Sequence, residues 1–343
     1  MPHLPTPRGP LSAAVLALLR NVPGSVTCAG AAVHPDVSAI ADPLSDDDLH
    51  LALYCCYELH YRGFDGVDER WEWDPALLTL RARLEAVFAR GLDDALAGWR
   101  APAADAATMD LALRAIADAD EAPSLSRHLE TRGTLEQYRE FLVHRSAYQL
   151  KEADPHSWAI GRLWGPPKAA LVEVQADEYG GGDPARVHAE LFARTLTALG
   201  VDEAYGAYLD LLPGVTLATV NLMSFFGLHR RHRGRIVGHL ALFEMTSSIP
   251  NRRYATGLRR LGVDHPDAVA FFDEHVTADA VHENIAAVDL AGGLVRQEPE
   301  LAGDVLYGAR ALVELDGRWA AALLEAWERE GTALLRAPLA VGA

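Results

Sequence analysis

The sequence predicts an all-α protein. Apolar residues recur at three- and four-residue spacing over long segments, whereas runs of alternating Val, Ile and Thr are scarce. Half of the residues are apolar and 23% are charged, which is typical of a folded globular chain. With 343 residues, the chain is long enough for one large domain or two. We therefore expect a helical bundle with a substantial core.

The helices are predicted from this spacing and from capping residues. Three aspartates after Ser45 suit the positive end of a helix dipole, and this helix runs towards Gly63. The next helix spans Pro75 to Leu96, and a stretch rich in Pro, Ala and Asp at 101–107 connects it to the rest. Further helical patterns occupy 108–119, 134–152, 167–179, 184–199, 202–211, 214–228, 236–248, 252–261, 265–290 and 302–333.

Charge and cysteine content exclude several classes of protein. Lys and Arg number 31 against 48 Asp and Glu, a net charge of −17 that repels nucleic acid and anionic membrane surfaces. The apolar stretch Leu11–Leu19 is closed by Arg20, and no run reaches the roughly 20 apolar residues of a spanning helix. The three cysteines contain no C-x-x-C pair, which favours a reducing compartment. We expect a cytoplasmic protein that binds neither nucleic acid nor membrane.

One predicted helix carries three side chains of the types that bind metals. His275, Asp279 and His282 stand at positions i, i+4 and i+7, so they fall within roughly 60° of one another on one face. The flanking residues, Phe271 and Phe272 among them, are apolar, so part of this helix is buried. The alternative is a polar face in solvent.

A glycine-interrupted segment supplies a second candidate. Glu178 ends one helical pattern, three glycines follow, and Asp183 and Pro184 restart a helix that contains His188 about one turn in. Such a break can bring together two residues that a continuous helix would hold about 15 Å apart. The alternative is a simple turn with Glu178 in solvent.

Two further acids lie on faces that should point inward. Glu152 follows Phe141 and Tyr148 at helical spacing, and Glu244 stands among apolar neighbours. A buried carboxylate requires a cation, a hydrogen-bonding partner or a raised pKa. A metal ion would satisfy both acids, and so would pairing with arginine.

The combined order of these residues resembles the ligand order of the haem-oxygenase-like diiron oxidases and oxygenases. The segments Lys151–His156, Asp177–Gly182 and Leu242–Ser248 also look like the bacterial group described as iron-containing redox enzymes. The spacing is especially similar to that of the N-oxygenase domains of nitrosourea-forming enzymes. The resemblance covers about 135–290 and extends to 45–75. It implies that the metal ligands and catalytic residues are Glu152, Glu178, His188, Glu244, His275, Asp279 and His282.

The resemblance also implies a fold and an activity. We expect a haem-oxygenase-like core over 108–336, an N-terminal helical extension over 1–107 packed on it, and a frayed tail over 337–343. Two iron ions would activate O2, with electrons from an external donor such as a reductase or ferredoxin. The implied reactions are N-oxygenation or oxidative cleavage of a small amino-acid-like substrate in bacterial specialised metabolism, in a monomer or a homodimer.

The donor set is consistent with two iron ions on independent grounds. Four carboxylates contribute −4 and three neutral imidazoles contribute nothing, so two Fe(II) ions would give a neutral site. Carboxylate and imidazole ligands suit iron or manganese better than soft metals. Metals in a two-metal site lie about 3.5–4 Å apart, a distance that bridging carboxylates hold. We expect Glu178 to be the bridge.

Other readings of the sequence stay open. One polar cluster that surrounds two tryptophans is interpreted as a structural cap or as the lining of a substrate entrance. Its members are Glu58, His60, Arg62, Glu69 and Glu72. The basic segment 229–239 is interpreted as a solvated turn between helices, or as a site for an anion or redox partner. A metal-independent acid/base enzyme and a non-catalytic iron-binding protein are the rival functions. The second of these predicts exposed positions for Glu152 and Glu244.

Overall fold

The computed structural model describes residues 1–24, 36–37 and 40–336, without the side chains of 279–281. It confirms the all-α fold, since no strand occurs among the described residues. Short 3-10 turns connect several helices, and a π-helical segment, Ile285–Gly292, follows the helix Pro266–Asn284. The α-helices are α1 (Pro10–Leu19), α2 (Asp47–Glu58), α3 (Pro75–Leu96), α4 (Met109–Asp118), α5 (Leu125–Thr131), α6 (Leu135–Gln149), α7 (Asp154–Ser157), α8 (Gly165–Glu178), α9 (His188–Ala198), α10 (Gly214–Leu228), α11 (Arg233–Arg260), α12 (Pro266–Asn284), α13 (Gly293–Gln297) and α14 (Ala302–Glu328).

Capping residues set the starts of the first long helices. The Asp46 side chain accepts a hydrogen bond from the Leu49 N–H at the start of α2. The Asp74 side chain caps α3, where Pro75 occupies the first helical position and needs no N–H partner. These local interactions explain why the predicted bounds of α3 match the observed ones.

Helix α11 is the centre of the bundle. It packs against α12 and α14 along most of its length and against α5 and the π-helical segment. Helix α10 lies between α14 and α2, and α1 packs on α2. The N-terminal helices therefore lie against the bundle that carries the candidate site.

Glycines allow α11 and α14 to approach very closely at one end. A Cβ atom at Gly238 would overlap the Val305 carbonyl, and one at Gly308 would overlap the Arg235 carbonyl. Gly234 lies against Leu301, and Gly238, one turn later in α11, lies against Val305, one turn later in α14. The two helices therefore run in the same direction. Only glycine permits backbone contact this close.

The structure corrects the prediction of two helices at 236–248 and 252–261. A single helix, α11, runs through both ranges with Pro250 inside it. Proline removes one N–H, the usual partner of the Thr246 carbonyl, and tertiary packing on both sides of Pro250 maintains the helix. The Asn251 amide donates to the Ser247 carbonyl at 3.0 Å, which further satisfies the backbone at this point.

The helix predicted at 202–211 is also wrong. This segment forms turns, because Gly206 has φ +75° and packs against Pro2, where a Cβ atom would overlap the proline ring. The helix predicted to reach residue 152 ends at Gln149, and the helix predicted from 184 begins at His188 after a 3-10 turn. The predicted tail at 337–343 and Cys28 lie outside the described residues. Within those residues no helix is both long and apolar enough to cross a membrane.

Candidate metal centre

Glu152 lies in the turn that connects α6 to α7, and not on α6 as the sequence predicted. The next residue, Ala153, has φ +73°, a conformation that is rare for residues other than glycine. The Gln149 amide at the end of α6 donates to the Glu152 carboxylate at 3.2 Å. The turn and this hydrogen bond hold the Glu152 side chain in the interior of the bundle.

Three glycines join the helices that carry Glu178 and His188. Glu178 is the last residue of α8, and His188 is the first residue of α9, one turn earlier in the helix than predicted. Gly180 and Gly181 have φ +72° and +60°, and a Cβ atom on Gly180 would press on the backbone of Arg186. The reversal brings His188 Nδ1 to 2.9 Å from Glu178 Oε2.

Helices α11 and α12 supply the remaining side chains. Glu244 projects from the middle of α11, and His275 and His282 lie two turns apart on α12. His282 Nδ1 is 3.3 Å from Glu244 Oε2, and His275 Nε2 is 3.6 Å from Glu152 Oε1. Asp279 belongs to α12, but its side chain lies outside what the structure describes.

These side chains form two overlapping groups that could each hold a metal ion. In each group one ligand atom per residue lies within 4.8 Å of the others. Glu178 belongs to both groups, and its two oxygens allow it to serve both. Every member is buried, with at most 6% of its surface exposed. One group contains Glu152, Glu178, His188 and His275, and the other contains Glu178, Glu244 and His282.

Several ligand-type atoms in these groups have no hydrogen-bond partner among the described residues. They are Glu152 Oε2, Glu178 Oε2, His188 Nδ1 and His282 Nδ1. Buried polar atoms normally find a partner, because an unsatisfied one costs about 1–3 kcal/mol. Glu178 and His188 are close together yet not aligned as a hydrogen bond. Lone pairs that converge without a donor fit a shared cation.

Neighbouring groups orient the histidines, and sequence reasoning missed them. His275 Nδ1 lies 2.8 Å from the Phe271 carbonyl, to which it can donate, and this leaves the Nε2 lone pair for the cluster. His282 Nε2 lies 3.3 Å from an Asp177 carboxylate oxygen, so Nδ1 faces Glu244. Asp177 and Gln149 are each near a candidate ligand in sequence, but no spacing rule indicated their contacts.

The charges of the cluster are strongly coupled. Burial favours the neutral form of Glu178, but His188, His275 and His282 outweigh it and lower the pKa of this carboxyl. Burial raises the pKa of Glu244, and the nearby Glu178 charge adds to this. Burial alone would lower the pKa of His188, but Glu178 raises it above its ordinary value. The cluster therefore attracts positive charge, either as protons or as a metal ion.

Comparison with known proteins places this chain in a family. Residues 139–317, more than half of the chain, match the family described as iron-containing redox enzymes. The chain belongs to the iron-containing redox enzyme family. All seven residues proposed as ligands lie within the matched range. An iron-containing family and a buried cluster of carboxylate and imidazole groups are compatible with each other, since these groups are suitable ligands for iron.

A relative of this iron-containing redox enzyme is the nitrosourea synthase of Streptomyces achromogenes subsp. streptozoticus. The two sequences are 30% identical over 159 residues. These residues are 46% of the present chain and 33% of the synthase. The matched region therefore spans one third of the synthase.

The other polar clusters of this iron-containing redox enzyme have partners of their own. Glu58 pairs with Lys151 at 2.7 Å, and His60 Nδ1 lies 3.0 Å from Glu72. In the basic segment 229–239, Arg233 pairs with Glu298 and Arg235 with Asp304. Among the described residues, neither cluster contributes to a group of metal-ligand side chains. Glu152 and Glu244 are buried, contrary to the exposure that a non-catalytic iron-binding protein predicts.

Proposed function

We propose that this iron-containing redox enzyme is an O2-dependent oxidoreductase that uses two iron ions to oxidise a small organic substrate. The observation that carries the proposal is the pair of buried ligand groups that share Glu178. A carboxylate common to two groups is the arrangement that two metals about 3.5–4 Å apart require. The proposed ligands are Glu152, Glu178, His188, Glu244, His275, Asp279 and His282.

The chemistry of the donor set supports iron. When bound, a diiron centre supplies O2 activation, which carboxylates and imidazoles alone do not provide. Phe271 orients His275 through its carbonyl, and Asp177 orients His282. Tyr148 and Phe243 line the small void at the cluster and limit access of water. The protein's own part is thus to position the ligands and to exclude solvent.

The substrate is proposed to be a small amino-acid-like molecule that undergoes N-oxygenation. The name nitrosourea synthase denotes a product with a nitrogen–oxygen bond, and that protein is 30% identical to this chain over 159 residues. Oxidative cleavage of a similar substrate is the alternative reaction within the same proposal. N-oxygenation that inserts one atom of O2 and reduces the other to water takes two electrons from an external donor, for which we propose a reductase or a ferredoxin.

The test is an anaerobic Fe(II) titration followed by mixing with O2, monitored by visible absorption and Mössbauer spectroscopy. We expect two irons per chain with a Mössbauer signature of coupled ions. Glu178→Ala should reduce binding at both sites. His188→Ala and His282→Ala should each weaken one site more than the other, and Asp279→Ala should also reduce the stoichiometry below two. Glu173→Ala, an exposed acid on the same helix as Glu178, is the matched control.

Three results would overturn the proposal. Two irons bound at full occupancy by the Glu178→Ala variant would exclude Glu178 as a shared ligand. Substrate turnover by rigorously iron-free protein would favour metal-independent acid/base chemistry instead. If the protein takes up iron but consumes no O2 with any reductant and any substrate of the amino-acid panel described below, a non-catalytic iron-binding protein is favoured.

A further inference from the structure

A cavity of about 130 Å³ lies beside the Glu/His cluster. Glu152 and His275 line both this cavity and the void within the cluster, so a molecule in the cavity would contact the candidate ligands. A cavity of this size holds a molecule on the order of six to ten non-hydrogen atoms. Aromatic rings form part of its wall, among them Phe141, Phe192, Tyr254, Phe271, Phe272 and Trp319.

Two opposite charges line the same cavity, and neither has a hydrogen-bonded protein partner among the described residues. Arg145 on α6 and Asp316 on α14 make no hydrogen bond and no ion pair within 4.0 Å among the described residues. The central carbon of the Arg145 guanidinium lies 5.3 Å from the centre of the Trp319 ring, which is a cation–π contact. Both groups also line a second small void that contains neither Glu152 nor His275.

Helix α6 fixes the distance from Arg145 to the cluster. Arg145 precedes Gln149 by four residues, which is a rise of about 6 Å along the helix. Gln149 in turn donates to Glu152. A molecule bound at Arg145 therefore needs to extend by only a few bonds to reach the candidate ligands.

We propose that this cavity binds a small zwitterion, with a carboxylate at Arg145 and an ammonium group at Asp316. The remainder of the molecule lies between the aromatic rings and points towards Glu152 and His275. Its identity as the substrate rests on the proposed function, whereas its binding does not. Arg145 and Asp316 are binding residues that determine which molecules enter.

A zwitterion suits the cavity better than a molecule with one charge. The guanidinium can bind a carboxylate with two parallel hydrogen bonds, and Asp316 can accept from an ammonium group. A simple anion would bind Arg145 but leave the Asp316 carboxylate without a hydrogen-bonding cation, and a simple amine would leave the Arg145 guanidinium without a hydrogen-bonding anion. Burial raises the pKa of the Asp316 carboxyl more than the charge of Arg145 lowers it, so a bound ammonium group would favour the ionised form of Asp316.

Three probes that share an alkyl chain test the proposal. Norleucine carries both charges, hexanoate only the carboxylate and pentylamine only the ammonium group. Isothermal titration calorimetry of the full chain, iron-free and loaded with Fe(II) under anaerobic conditions, gives the affinity of each. A thermal-shift screen of the twenty common amino acids accompanies it, and each hit is titrated beside its deaminated and decarboxylated analogues.

We expect the protein to prefer a zwitterion to both singly charged analogues, and we expect each variant to lose a different one of these two preferences. At least one zwitterion should bind about tenfold or more tightly than either singly charged analogue. Arg145→Gln should abolish its advantage over the amine, and Asp316→Asn should abolish its advantage over the carboxylate. Arg252→Gln, an exposed arginine on α11, should change neither ratio. Because each ratio is measured within one protein, a general loss of stability does not imitate the result.

Other results would overturn the inference. If no zwitterion binds with a dissociation constant below 10 mM, or if both variants still prefer the zwitterion to its singly charged analogues, Arg145 and Asp316 are only a long-range structural pair. This outcome is separate from the iron titration. Normal iron uptake without zwitterion selectivity refutes the cavity assignment alone, and selective binding without iron uptake refutes the diiron proposal alone.

Discussion

Lys151 and Glu58 form a buried ion pair that connects α2 to the turn carrying Glu152. Lys151 Nζ lies 2.7 Å from Glu58 Oε2, and the two residues are 1% and 0% exposed. The Tyr205 hydroxyl donates to the same carboxylate, and Lys151 also contacts the face of the Tyr61 ring. Lys151→Met would keep most of the side-chain volume but leave the Glu58 carboxylate with no neutralising ammonium.

The structure permits an estimate of the loss. Removing one partner of a buried ion pair typically costs about 3–5 kcal/mol. Unfolding entropy of about 2.1 cal/mol/K per residue amounts to about 0.7 kcal/mol/K for 343 residues. The melting temperature should therefore fall by about 4–7 °C. The double variant Glu58→Gln/Lys151→Met should cost less than the sum of the single variants, because no buried charge remains and the amide still accepts from Tyr205.

Guanidinium unfolding followed by circular dichroism, together with scanning calorimetry, measures these values. Lys168→Met is the matched control, since Lys168 is the other lysine of the chain and forms no ion pair in the described structure. A cost for Lys151→Met below about 1 kcal/mol would place this pair among the weak interactions typical of exposed ion pairs. Strict additivity in the double variant would likewise refute the argument from an uncompensated charge.

Three further predictions concern pH, packing and metal. Burial lowers the pKa of His50 from 6.5 to about 4. The buried neutral imidazole therefore contributes fully to the free energy of unfolding above pH 6.5, and this contribution is lost as the pH falls towards 4. At pH 5 the free energy of unfolding is lower by about 2 kcal/mol for this reason. His50→Gln should flatten the pH dependence of the unfolding free energy, measured with urea between pH 7 and 5. An unchanged pH dependence would refute the role of His50. Gly238→Ala should destabilise the fold by about 3 kcal/mol or more, because its Cβ atom overlaps a carbonyl, whereas Gly303→Ala meets open space and should change the melting temperature little. Fe(II) at a hundred times the Kd of the unsubstituted protein should raise its free energy of unfolding by about 2.7 kcal/mol in calorimetry. An equal gain in Glu178→Ala at the same Fe(II) concentration would contradict the ligand assignment.

Residues that are close in sequence gave the most reliable predictions. His275 and His282 share a helix face because of the α-helical repeat, and the three glycines indicated the reversal between Glu178 and His188. Both arrangements depend on a few consecutive residues whose backbone preferences are strong. The all-α fold follows from the same periodicity. The assignment of these residues as metal ligands is still a prediction.

Interactions between distant segments were not predictable from the sequence. Glu58 and Lys151 are 93 positions apart, and no local pattern pairs them. Helix α11 continues through Pro250 because its neighbours support it, whereas the turn at Gly206 depends on contact with Pro2. In each case tertiary packing overrides the local propensity. Arg145 and Asp316 face one cavity only because α6 and α14 converge there.

The glycine contact between α11 and α14 also affects how this protein can diverge. The two helices touch backbone to backbone at Gly238 and Gly308, and the cavity opens between them further along, where Thr246 and Asp316 line its wall. Because the helices are in backbone contact at the glycines, a change in their crossing angle there displaces residues further along both helices, Thr246 and Asp316 among them. The proposed ligand Glu244 lies only two residues before Thr246, so such a change moves this ligand and the cavity wall together. The range of accepted molecules and the geometry of the metal centre are therefore coupled along this pair of helices.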